Sequence, residues 1–120
     1  MALNQEFQGF CMPLKRSNSA SAREQIRSSK KPVVVKFHSP NCGSCIEAGP
    51  KLQKAACPHR DDAEFLEVDV EQDSALADEL KVTSIPFVAA FKGGKMVGKK
   101  VGGEETATYS KFIERILGGK

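Results

Sequence analysis

VVVKFHSPNCGSCIEAGP, residues Val33 to Pro50, is the stretch that decides how this chain folds. Three valines and Phe37 form a short apolar run of the kind a fully buried strand requires. The run breaks at Ser39, Pro40 and Asn41, residues that favour a turn over a continued strand. Cys42-Gly43-Ser44-Cys45 follows and leads into a segment able to continue as a helix. Strand, turn and helix in that order set Cys42 at the positive end of a helix dipole, where a thiolate is favoured over a thiol. Cys45 falls one helical turn on, within bonding distance of Cys42. The spacing predicts a dithiol that closes to a disulfide and reopens.

Around this stretch, 120 residues suffice for one domain with its own core, so residues 1–120 read as a single unit. Charged residues at 28% and apolar residues at 40% are ordinary for a soluble globular chain. The net charge of +3 is unevenly spread: Asp61 to Glu79 holds nine acids and no Lys or Arg, whereas Lys81 to Lys120 holds eight bases against three acids. Such blocks are most simply solvated faces, and without a basic-aromatic pattern no nucleic-acid partner is expected. Nothing resembles a membrane span or the apolar core of a signal peptide, so no membrane partner is expected either. Four cysteines in a secreted chain would suggest a disulfide framework. The lack of such a signal and the strand-linked pair favour a reducing compartment instead.

Upstream, Gln5 to Leu14 reads as a short strand around Phe7, Phe10 and Met12, demoted to an edge by Pro13. Ser21-Ala22-Arg23-Glu24 has the spacing of a capping box, which predicts a helix from Ala22 to Ser29. The Arg and Ser content there also suits a mitochondrial transit peptide, but the reading preferred is that this region supplies the first strand and helix. Downstream, the helix after Cys45 should kink at Pro50 and end at Cys57-Pro58. Phe65 to Val70 reads as a strand, and Asp73 or Ser74 as the cap of a helix over Ala75 to Leu80. Phe87 to Phe91 and Lys95 to Val101 flank a Gly93-Gly94 hairpin turn. A last helix spans Thr106 to Leu117, with Phe112, Ile113, Ile116 and Leu117 inward and Gly118 as its stop. Alternating strands and helices followed by a hairpin imply an α/β fold with a mixed central sheet flanked by helices.

The strand before Cys42-Gly43-Ser44-Cys45, Pro50 in the helix, the Phe65 to Val70 strand, Ile85-Pro86 ahead of a hairpin, and Gly102 together resemble the thioredoxin family. A lone Cys-X-X-Cys is weak evidence; its occurrence with Ile-Pro some forty residues on, before a strand and a Gly-Gly turn, is specific. The resemblance implies a thioredoxin fold and a protein dithiol–disulfide oxidoreductase. It makes Cys42 the attacking thiol, Cys45 the resolving thiol and Pro86 a cis proline facing them. It places Asn41, Ile85, Pro86 and Gly102 at the substrate surface, with the Ile85 backbone pairing with an extended substrate segment. Gly43 would ease the helix entry and substrate approach. It further implies no bound cofactor beyond the Cys42–Cys45 disulfide, disulfide-containing protein substrates, a flavoprotein reductase as electron donor, and a monomer in the cytoplasm, with mitochondria as the alternative.

This chain departs from the family pattern at several positions. Asn41 stands where the family usually has Trp, His38 where it has a second aromatic, and Ser44 where it has Pro. The hydroxyl and N–H of Ser44 would both donate toward the Cys42 thiolate and make a weaker reductant. Lys36 occupies the position of a buried Asp thought to relay the resolving thiol's proton. It could serve as a base or a thiolate-stabilising cation. Burying a lysine is costly, so the expectation is that Lys36 snorkels to the surface.

A zinc set of Cys42, Cys45, Cys57 and His59 is the rival reading of the cysteines, but a helix would carry Cys57 several turns away, so no metal is expected. His38 is expected as a rim residue able to tune Cys42, His59 and Asp69 as ordinary polar residues, and Cys11 and Cys57 as small buried hydrophobes. Two further functional classes stay open: a binding or chaperone module with weak redox turnover, and a glutathione-linked glutaredoxin-like enzyme.

Overall fold

The structure, a computed structural model, describes residues 11–118. Strands β1 (Lys15–Ser17), β2 (Val33–His38), β3 (Glu64–Asp69), β4 (Phe87–Lys92) and β5 (Lys95–Val101) form one sheet. Helices α1 (Ser19–Ser28), α2 (Gly43–Ala56), α3 (Ala75–Glu79) and α4 (Thr106–Gly118) flank it. The strand order is β1-β3-β2-β4-β5, with β1, β3 and β2 parallel and β4 and β5 antiparallel to their neighbours. This is the mixed sheet expected, and it puts β2 at the centre.

Side chains on a strand alternate faces, and β2 uses both faces for burial. Val34 joins Leu52, Ala55, Phe65, Val88, Tyr109, Phe112 and Ile113 under α2 and α4. Val33, Val35 and Phe37 join Leu66, Val68, Phe87, Leu76 and Ile26 under α1 and α3. A near-continuous apolar run is what a strand covered on both faces demands. Gly98 on β5 lets α4 close on the sheet, since a Cβ there would lie 3.0 Å from Phe112 Cε1 and 3.1 Å from Ile116 Cδ1.

The elements differ from the sequence expectations mainly at their ends. The edge strand is Lys15–Ser17; Cys11 to Leu14 precede it outside any strand, and residues 5–10 of the expected strand, with Phe7 and Phe10, lie outside the described residues. Helix α1 starts at Ser19 because Asn18 is its cap, accepting from the Ser21 N–H at 2.8 Å; Ser21 lies inside the helix, and Glu24 pairs with Arg27 instead of closing a capping box. The Asp73 carboxylate takes the Ser19 N–H at 2.8 Å while the Ser19 hydroxyl takes the Leu76 N–H at 2.9 Å, joining the starts of α1 and α3. Pro50 sits inside a continuous helix, Gly118 is the last residue of α4 instead of a stop beyond it, and Tyr109 is a fully buried member of the α4 face.

Candidate active site

Parallel pairing of β2 with β3 fixes the end of β2, and the turn after it delivers Cys42 to the N-cap of α2. Cys42 and Cys45 are joined as a disulfide with Cα atoms 5.1 Å apart. The Cys45 N–H donates to Cys42 Sγ at 3.1 Å, and the Ser44 hydroxyl lies 3.5 Å from the same sulfur. Free N–H groups at a helix start carry partial positive charge, so these donors favour a thiolate at Cys42. The amide aimed at Cys42 is that of Cys45 and not, as the sequence predicts, that of Ser44; a cap side chain reaches the N–H two or three residues on, and here it reaches the third.

The two sulfurs differ in access. Cys45 is 2% exposed and belongs to the core, while Cys42 lies nearer the surface. Facing them is the Ile85–Pro86 peptide, which is cis, with the Ile85 carbonyl oxygen 3.8 Å from Cys42 Sγ. Gly102, at φ +87°, folds back so that its N–H donates to the Pro86 carbonyl at 2.8 Å; a residue with a Cβ would be strained there. Gly103 comes next, with its Cβ position 3.7 Å from the Ser44 carbonyl, so the segment after β5 borders the dithiol. At Gly43 a Cβ would meet nothing within 4 Å, so the fold itself has no need of glycine at this helix entry.

Asn41 is tied down. Its Nδ2 donates to both Glu71 carboxylate oxygens at 3.0 and 3.1 Å, its N–H donates to Ser39 Oγ at 3.0 Å, and the buried Ser39 hydroxyl donates to Glu71 Oε2. Glu71, thirty residues beyond Asn41, therefore braces the turn that carries Cys42. No spacing in the sequence points to it.

Lys36 does not snorkel. It is 4% exposed, its Nζ donates to the Cys45 carbonyl at 3.3 Å, and the Cβ position of Gly49 lies 3.2 Å from that Nζ. With β2 central and α2 across its face, the side chain is covered, and the missing side chain of Gly49 makes the room. Desolvation lowers the Lys36 pKa, and the Glu67 carboxylate opposes that. Lys36 and Arg16 both register opposite Glu67, so a cation, an anion and a cation follow one another across β2, β3 and β1, from buried Lys36 to exposed Arg16 at the sheet edge. Burial likewise pushes the half-buried His38 imidazole below its usual value, with Glu67 again opposing; among the described residues no hydrogen bond joins His38 to either sulfur.

The remaining cysteines are not buried hydrophobes. Cys11 and Cys57 form a second disulfide, Cα to Cα 5.9 Å, at the far end of α2. This bond also divides the rival zinc set, since Cys57 is engaged with Cys11. Asp69 is a strand-end residue whose Oδ1 accepts the Glu71 N–H at 2.9 Å, and His59 lies in a 3₁₀ turn, Cys57–His59.

Comparison with known proteins adds sequence and structural likeness. A family model described as Thioredoxin matches residues 13–115. The mitochondrial thioredoxin of Mus musculus is 32% identical over 96 residues, covering 80% of this chain and 58% of that protein. The chain thus spans little more than half the length of that relative. The bifunctional thioredoxin reductase/thioredoxin of Mycobacterium leprae is 35% identical over 98 residues, 82% of this chain and 21% of that protein. Among solved structures, a thioredoxin from Malassezia sympodialis superposes with a TM-score of 0.75 at 26% identity, covering 84% of this chain and 89% of that one.

Proposed function

The chain belongs to the thioredoxin family, and from that membership we propose that it is a protein dithiol–disulfide oxidoreductase that reduces disulfides in partner proteins. The observation that carries this reading is the Cys42 sulfur at a helix N-terminus, facing the carbonyl that precedes a cis proline. In the reduced form, the Cys42 thiolate attacks a substrate disulfide, forming a Cys42–substrate bond and expelling one substrate thiolate. The Cys45 thiolate then attacks Cys42 Sγ, closing the Cys42–Cys45 bond and releasing the second substrate thiolate. Two electrons have passed to the substrate, and the redox group is the chain's own disulfide.

Each neighbour has a part in this scheme. The Cys45 N–H and the Ser44 hydroxyl hold down the energy of the Cys42 thiolate. The Ile85 and Pro86 backbone, with Asn41, Gly43 and Gly102 around it, receives an extended substrate segment. Lys36 acts on the resolving step: its ammonium compensates the charge that appears when buried Cys45 ionises. His38, at the strand end, tunes the same field. The electron donor is a flavoprotein thioredoxin reductase, a reading supported by the fusion of both activities named in the Mycobacterium leprae relative. The working form is a monomer in the cytoplasm, the mitochondrial relative naming the other compartment for cell fractionation to test.

Insulin disulfide reduction with dithiothreitol as donor tests the core of the proposal. The wild type should be active, Cys42→Ser inactive, and Cys45→Ser should accumulate a mixed disulfide with substrate. A folded wild type without activity would overturn the reading in favour of a binding module; activity with glutathione but not with the flavoprotein reductase would favour a glutaredoxin-like enzyme.

A further inference from the structure

At the opposite end of α2 from the dithiol, a groove of about 1070 Å³ runs along the Cys11–Cys57 disulfide. Gly49, Pro50 and Gln53 of α2 form one wall, Glu67 lies within, and Lys54 and Arg60 bring positive charge to it. Both cysteines are half-buried and line the groove. The Arg60 guanidinium donates to the Cys57 carbonyl at 2.8 Å and stands 3.7 Å from Cys57 Sγ.

We propose that Cys11–Cys57 is a second thiol–disulfide exchange site, opened by an anionic low-molecular-weight thiol that enters this groove. The incoming thiolate attacks Cys11 Sγ, the new sulfur–sulfur bond forms there, and Cys57 leaves as a thiolate beside Arg60. A lower-energy leaving thiolate departs faster, and the nearby cation supplies that. A second equivalent of the same thiol attacks the mixed disulfide, releasing the small-molecule disulfide and leaving Cys11 reduced. Two electrons enter the protein, and the two cysteine thiolates take their protons from water.

Local architecture makes the bond easy to open and close again. Cys11 to Leu14 belong to no strand or helix. Among the described residues, the Leu14 N–H bond to Gln53 Oε1 at 3.0 Å and the burial of Leu14 keep the segment at α2 when the disulfide opens. The dithiol of the same molecule is not the reductant: Cys57 lies twelve positions beyond Cys45 along α2, about 18 Å at 1.5 Å per residue. The site is therefore independent of the Cys42–Cys45 chemistry proposed above.

The full chain carrying Cys42→Ser and Cys45→Ser isolates this bond. Folded protein is treated with 2-mercaptoethanesulfonate (anionic), 2-mercaptoethanol (neutral) or cysteamine (cationic), then quenched by alkylation, with Cys11 and Cys57 peptides quantified by mass spectrometry. Each rate is divided by that thiol's rate toward a small linear disulfide. The expected order is anionic, neutral, cationic, spanning about tenfold, and Arg60→Gln should collapse the span while Arg60→Lys keeps most of it. Oxidised mercaptoethanesulfonate should restore the bond. The same peptides from wild type guard against a folding defect in the double variant. A bond that opens only in denaturant, or one that opens without regard to thiol charge or Arg60, overturns the proposal. Reduction by catalytic amounts of reduced wild type, with no reaction by any small thiol, overturns it in favour of a protein reductant.

Discussion

Lys36 is where one residue departs furthest from what its type predicts. A lysine reaches the interior because Gly49 leaves room for Nζ, because the Cys45 carbonyl accepts from it, and because Glu67 lies across the strand pair. Its folded pKa is below the ordinary 10.5, so between the folded value and 10.5 the unfolded chain binds more protons and stability rises with pH; below that window the full penalty applies. Lys36→Met should therefore be more stable than wild type at pH 7, by about 1–3 kcal/mol in urea denaturation, with the gap closing toward pH 10.5. The same variant should resolve the mixed disulfide about 10–100-fold more slowly, with its pH–rate profile moved to higher pH, in stopped-flow measurements. A stability gain coupled to a loss in rate is what a group kept for chemistry produces. Ser44 makes a smaller contribution. One hydroxyl hydrogen bond to a thiolate is worth about 0.5–1.5 kcal/mol, so Ser44→Ala should lower the reduction potential by about 10–30 mV in a redox titration.

At the scale of elements, the dithiol depends on a turn braced from outside its own stretch. Glu71 holds Asn41 and Ser39 together, and through them the entry into α2. Glu71→Ala should lower insulin reduction by about 3–10-fold at unchanged far-UV circular dichroism, because a misoriented Cys42 loses its approach geometry while the helix persists. The turn itself was legible as Ser39-Pro40-Asn41, and the helix start as the cysteine after it. Its brace was not, since nothing local connects residue 41 with residue 71. The capping of α1 teaches the same point in the other direction: Ser21-x-x-Glu24 satisfies a local rule, yet Asn18 holds the cap and Ser19 joins Asp73 and Leu76. The local motif lost to a start position that gains contacts with α3.

For the whole molecule, the sheet separates two apolar layers, and Arg16, Glu67 and Lys36 share one register across β1, β3 and β2, exposed at the edge and buried at the centre. The same helix has the proposed catalytic disulfide at its N-terminal end and Cys11–Cys57 at its C-terminal end. The second bond joins residues 46 apart, and restricting an unfolded chain that strongly should stabilise the fold by about 2–4 kcal/mol. In the Cys42→Ser/Cys45→Ser background, guanidinium denaturation of the oxidised and reduced forms should differ by that amount. Amino-acid order alone determined the buried strand, the turn and the Cys-X-X-Cys helix start. It also determined the Gly93-Gly94 hairpin, whose glycines adopt the positive φ a tight turn requires, because each of these follows from local conformational preference and the period of apolar residues. Tertiary structure alone decided the burial of Lys36, the bracing by Glu71, the row on Glu67 and the pairing of Cys11 with Cys57. Those depend on strand register and helix placement, which bring residues of different elements into contact, and no local spacing encodes which partner a side chain will meet there.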